Sequence, residues 1–88
     1  MSDRHILDRP REKLQAKGAS ALSDFELLQA LIGSGNAQAD VSKIARETLK
    51  IIKANGANVT YDQLQHVTGM GAAKVTEILA ALELSKRY

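Results

Sequence analysis

Apolar residues recur along this chain at helical spacing, and polar caps and glycines divide them into five segments. Asp8-Arg9-Pro10 opens the first. Pro10 suits the first helical position, where its missing N–H would lack a partner anyway, and Gly18 predicts a left-handed stop after Lys17. The second opens on Ser23-Asp24-Phe25-Glu26, a capping box in which the serine hydroxyl accepts the third helical N–H and the glutamate reaches back. Leu22 and Leu27 flank it as a staple pair. Leu27, Leu28, Leu31 and Ile32 form its apolar stripe, and Gly33 closes it. The third begins at Asp40, carries Val41, Ile44, Ala45, Thr48, Leu49 and Ile52 on one face, and stops at Asn55-Gly56. Thr60-Tyr61-Asp62-Gln63 is a second capping box, with Val59 and Leu64 as its staple, opening a short helix to about Val67. Beyond Gly69-Met70-Gly71 a last helix sets Val75, Ile78, Leu79 and Leu82 on one face. No strand pattern, low-complexity tract or linker interrupts them. The expectation is one all-α domain over residues 1–88 with five short helices.

Composition narrows the function classes. At 88 residues, 44% apolar and 25% charged, the chain has ordinary globular composition for one small domain. The absence of cysteine excludes a disulfide framework, a zinc knuckle and a thiol nucleophile. No apolar stretch approaches the length of a bilayer crossing, and Met1-Ser2-Asp3-Arg4-His5 lacks an apolar signal core, so a cytoplasmic protein without membrane contact is expected. His5 and His66 are far apart and form no His-x-His. The carboxylates are dispersed, mostly at helix starts, and no Ser-His or Lys constellation stands out. Neither catalysis nor a metal or cofactor is expected.

The informative segment is Leu64-Gln65-His66-Val67-Thr68-Gly69-Met70-Gly71-Ala72-Ala73-Lys74-Val75. It joins two helices through Gly-hydrophobic-Gly. Glycines at both ends allow positive φ at little cost, and Met70 can turn inward as a plug. The turn then presents backbone N–H groups at the N-terminus of the last helix, where the macrodipole favours an anion. Lys74, three residues past Gly71, is placed to reach the same anion. Gly69, Met70, Gly71, Ala72, Ala73 and Lys74 thus form a candidate phosphate site built mainly from backbone, which holds a nucleic-acid strand without reading its bases. The alternative is a plain helix–helix turn. The segment resembles the helix-hairpin-helix motif of DNA-binding and repair proteins.

An earlier segment echoes it. Leu28 to Gly33 repeats the step from Leu64 to Gly69, and Gly33-Ser34-Gly35 answers Gly69-Met70-Gly71. Val41 and Ile44 answer Val75 and Ile78 once two extra loop residues are allowed. Ser34 replaces the apolar plug, and the loop Asn36-Ala37-Gln38-Ala39 is longer, so this first hairpin, near residues 33–36, is degenerate beside the main one near 68–74. Two such units about a pseudo-twofold axis is the reading.

Charge permits nucleic-acid binding without demanding it: the net charge is +2 and the pI about 9.1. Arg9, Lys13 and Lys17 can share one face of the first helix, and Arg46, Lys50 and Lys53 one face of the third. Each set is either a solvated face or a second phosphate contact. Only three aromatics, Phe25, Tyr61 and Tyr88, argue against base stacking on single strands.

Taken together, residues 8–87 resemble the N-terminal domain of the bacterial RadC family (UPF0758 type), a family named for DNA repair. The resemblance is carried by Arg9-Pro10-Arg11-Glu12-Lys13-Leu14, Gly18-Ala19-Ser20-Ala21-Leu22-Ser23-Asp24-Phe25-Glu26-Leu27-Leu28, Leu31-Ile32-Gly33-Ser34-Gly35, Gly69-Met70-Gly71-Ala72-Ala73-Lys74 and Leu79-Ala80-Ala81-Leu82-Glu83-Leu84. Ala72, where many such loops carry proline, and the neutral loop Asn36–Ala39 depart from the pattern. The resemblance implies a tandem helix-hairpin-helix domain of SAM/RuvA-C-like type. It also implies that the family's metalloprotease-like domain, with its His-x-His and Asp signature, is absent from this stretch. Two functions stay open. One is a non-catalytic, sequence-independent DNA-binding module that contacts the backbone weakly, of plain or branched DNA. The other is an interaction or regulatory domain that docks a protein partner or the family's own C-terminal domain.

Overall fold

Side-chain caps set most of the helix starts. The computed structural model describes residues 9–88, and among them lie five α-helices and no strand: α1 (Pro10–Lys17), α2 (Asp24–Ile32), α3 (Val41–Asn55), α4 (Tyr61–Gln65) and α5 (Ala72–Arg87). Short 3₁₀ turns follow α1 at Ala19–Ala21 and α3 at Gly56–Asn58. Both expected capping boxes form. Glu26 N–H donates to Ser23 Oγ at 3.2 Å while Glu26 accepts the Ser23 N–H at 2.9 Å. Thr60 and Gln63 repeat the exchange at 3.2 and 2.9 Å. Asp40 caps α3 by accepting the Lys43 N–H at 2.8 Å. The stop at Gly56 also forms, with φ at +59°. α4 ends at Gln65 rather than near Val67, because Val67 N–H turns back to Leu64 O in a tighter, non-helical bond.

The core gathers α2, α3, α4 and α5. Ile44, Leu64, Val75 and Ile78 are fully buried, joined by Leu28 and Ile32 of α2 and by Val59 and Val67 on either side of α4. One expectation fails here: of the stripe on α2, only Leu28 and Ile32 are buried, whereas Leu27 and Leu31 are more than a third exposed. Helical geometry explains the split. Leu28 and Ile32 share one edge of α2, Leu27 and Leu31 the next, and α3 covers only the first. Leu22 is buried, but its staple partner Leu27 is not.

α1 buries no residue. Polar bonds hold it to α2: Lys13 Nζ pairs with Glu26 at 3.0 Å, and Arg11 Nε donates to Ala30 O at 2.9 Å. Lys13 is thus paired with Glu26 across the α1–α2 contact rather than standing free on a solvated face. Asp3, Arg4, His5 and Asp8 lie outside the described residues.

Candidate nucleic-acid interface

The second hairpin is built one peptide at a time. After α4, Met70 N–H donates to Val67 O at 3.0 Å, closing a turn in which Gly69 takes φ +88°. Glycine is required there twice over. Positive φ strains other residues, and a Cβ would stand 3.0 Å from Ile44 Cδ1 and 3.2 Å from the Ala39 Cβ. Met70 packs, half-buried, on the core, which is the inward turn expected of a plug.

Gly71 differs from expectation. Its φ is −91° and its ψ 167°, ordinary extended backbone, and a Cβ there would meet nothing within 4 Å. The helix N-cap imposes this conformation, which any residue adopts. What Gly71 contributes is open space in front of α5. Gly71, Ala72 and Ala73 are exposed. Among the described residues, no acceptor takes the N–H groups of Gly71, Ala72, Ala73 and Lys74. No side chain caps α5, and its first turn carries no acid. By contrast α2, α3 and α4 are capped by Ser23, Asp40 and Thr60, and α1, uncapped, has Glu12 in its first turn. The partial positive charge of a helix N-terminus is thus left uncompensated at α5.

Lys74 is placed differently from the sequence reading. Its half-buried ammonium donates to Ile32 O at the C-terminus of α2, 42 positions earlier. One of its three N–H donors is so engaged. Arg11 serves the same end of α2, bonding Ala30 O with its guanidinium against Gly33. α2 has no basic residue in its own last turn, and these two cations from α1 and α5 satisfy its terminal carbonyls.

The first hairpin lies beside the second. Gly33 has φ +86°, and a Cβ on Gly35 would meet Ala39 O at 2.5 Å. Asn36 Nδ2 donates to Gly69 O at 2.9 Å, so the two loops are in direct contact. Sequence reasoning missed Asn36 and Arg11, because nothing local marks a bond that spans 33 or 19 positions.

Two further surfaces are notable. Arg46, Lys50 and Lys53 are exposed on α3, with Lys50 Nζ at 3.6 Å from Glu47. Between α1 and α2 an apolar groove of about 400 Å³ is lined by Leu14, Leu27, Ala30 and Leu31, with Arg11 and Gln15 at its edge. His66 is exposed beside Asp62, and no three His, Asp or Glu side chains converge among the described residues. No helix among them is long and apolar enough to cross a membrane.

Comparison with known proteins bears on the whole chain. The family model described as UPF0758 N-terminal matches residues 1–76. A UPF0758 protein of Methanospirillum hungatei is 39% identical over 88 residues, covering 100% of this chain and 39% of the relative. One from Idiomarina loihiensis is 46% identical over 85 residues, covering 94% and 38%. One from Aquifex aeolicus is 40% identical over 80 residues, covering 91% and 35%. The chain thus spans about two-fifths of the length of these relatives. No solved structure matches it. By a family match over most of its length, the chain belongs to the UPF0758 family, the RadC-type proteins, and corresponds to their N-terminal domain.

Proposed function

We propose that this domain is a non-catalytic, sequence-independent DNA-binding module that contacts phosphate through its second hairpin. One observation carries the reading: the N-terminus of α5 is exposed, uncapped and free of acid, while α2, α3 and α4 each have a side chain over theirs. A phosphate oxygen is the right size and sign for the N–H groups of Gly71, Ala72 and Ala73, and the bare Cα of Gly71 lets it approach. Such contacts touch the backbone and carry no base information. Affinity is therefore modest, in the range of about 10⁻⁴ to 10⁻⁶ M at physiological salt. The family's association with DNA repair, implied by the motif resemblance, is consistent with a module that recognises plain or branched DNA. An amide-resolved NMR titration with a short duplex and a four-way junction, at low and high salt, tests it. The expected result is a salt-sensitive response concentrated on Gly69 to Lys74. No response at low salt, or one confined to α1 and α2, sinks the reading.

A second reading has its own support. The apolar groove of Leu14, Leu27, Ala30 and Leu31 is exposed, as a protein-docking surface would be. In this reading the domain binds a protein partner or the remainder of a longer family member. Binding that survives high salt and is lost on Leu31→Asp favours it over the DNA reading.

A further inference from the structure

The degenerate first hairpin has Ser34 where the second has its apolar plug Met70, yet its loop reaches across to the second hairpin and holds it. We propose that Asn36 is the positioning residue of the second hairpin, fixing from the first hairpin the peptide from which the phosphate-facing amides leave. The proposal rests on the phosphate reading for its consequence in binding and on hydrogen-bond geometry for its mechanism.

The peptide between Gly69 and Met70 is held from both sides. Its N–H, that of Met70, donates to Val67 O at 3.0 Å, and its carbonyl, that of Gly69, accepts Asn36 Nδ2 at 2.9 Å. A peptide unit is planar, so pinning both of its polar groups fixes its orientation. That sets the direction of the next amides, Gly71 and Ala72. Without the Asn36 bond, one side of this plane is free, and Gly69 is the residue whose backbone rotates most easily.

Asn36 is itself held firmly enough to serve as an anchor. Its Oδ1 accepts the N–H groups of Gln38 at 3.0 Å and Ala39 at 3.3 Å, and its own N–H donates to Ala39 O at 2.8 Å. This network also settles the amide's orientation, since a flipped side chain would face two N–H donors with its NH₂ and a carbonyl with its oxygen. Gly35 lets the loop close this tightly, because any Cβ there would collide with Ala39 O and the Asp40 backbone. In the reverse direction, Lys74 reaches from the second hairpin to Ile32 O at the entrance of the first. The hairpins are thus tied by one bond each way. Without an apolar plug of its own, the first hairpin supports the second.

Two substitutions separate this role from a merely local one. Asn36→Asp keeps the acceptor oxygen for Gln38 and Ala39 and removes the donor to Gly69. Asn36→Ala removes both. The expected result in the free, folded protein is that both variants shift the amide resonances of Gly69 to Ala72 and speed their hydrogen exchange, while Gln63 in the second capping box is unmoved. With a short duplex, Asn36→Ala weakens binding about three- to tenfold, as the loss of one hydrogen bond implies. It leaves the slope of log K against log salt unchanged, since no charge is removed. If Asn36→Asp leaves the Gly69 to Ala72 amides at their wild-type positions, Asn36 serves only its own loop and the proposal is overturned. An altered salt slope in Asn36→Ala overturns it as well. A wild-type protein that ignores DNA refutes the phosphate reading, and the free-protein comparison still decides the part played by Asn36.

Discussion

Two glycines in one hairpin carry different constraints, and single substitutions separate them. Gly69 sits at φ +88° against Ile44 and Ala39, so Gly69→Ala combines strain with a clash in the core. The expected loss is about 1–3 kcal/mol in urea unfolding. Gly71 sits at φ −91° in open space, and Gly71→Ala is expected to stay within about 0.5 kcal/mol of wild type. Equal losses at both would show that the two glycines share one role. Thr48 offers a second test in the core. It is fully buried on α3, and its Oγ1 has no hydrogen-bond partner. Removing an unsatisfied buried hydroxyl while keeping side-chain shape relieves a desolvation cost, so Thr48→Val is expected to stabilise the fold by about 1 kcal/mol. A destabilised Thr48→Val would mean that the hydroxyl is bonded in solution.

At the scale of the helices, α5 trades stability for an open end. Gly71 already has the extended backbone of an N-cap, so Gly71→Asp needs no rearrangement to accept an N–H of the first turn and place negative charge on the dipole. It is expected to raise stability by about 0.5–1 kcal/mol and to abolish the duplex response of Gly69 to Lys74. A variant that is stabilised yet binds as before would move the phosphate site elsewhere. α1, which buries nothing, depends on its polar bonds to α2. The Ser23 N–H, and then the Lys13 ammonium, hold the Glu26 carboxyl below the ordinary glutamate value of 4.5. A carboxyl lowered by folding contributes stability above that value and loses it as pH falls through the lower, folded value. The midpoint of thermal unfolding should therefore fall more steeply below pH 4.5 in wild type than in Glu26→Gln. These helix starts were legible in the sequence because each depends on residues three positions apart: Ser23 with Glu26, Asp40 with Lys43, Thr60 with Gln63. The exposure of Leu27 and Leu31 was not, since periodicity marks an apolar face without saying what covers it. Nor were the destinations of Lys74 and Asn36, whose partners lie 42 and 33 positions away.

For the whole molecule, the small charge makes salt dependence the most discriminating measurement. A net charge of +2 gives little long-range attraction to DNA, so the proposed reading rests binding on the local geometry of the hairpin. That site holds amide dipoles and one cation, Lys74, part of whose hydrogen-bonding capacity already serves Ile32. Amide contacts displace few counterions, whereas each lysine or arginine set against a phosphate displaces about one. A hairpin acting alone should therefore give a slope of log K against log salt of only about −1 to −2. Lys74→Ala should make it shallower by about one while costing some stability, through the unpaired Ile32 carbonyl. A slope of about −4 or steeper needs cations beyond the hairpin, and the exposed Arg46, Lys50 and Lys53 on one face of α3 are the cluster to test first. The triple variant Arg46→Ala, Lys50→Ala, Lys53→Ala would then flatten the slope and leave the hairpin amides responsive. If the triple variant matches wild type at every salt concentration, the basic face of α3 is a solvated surface, and a steep slope must come from other exposed cations such as Arg9, Lys17 and Lys43.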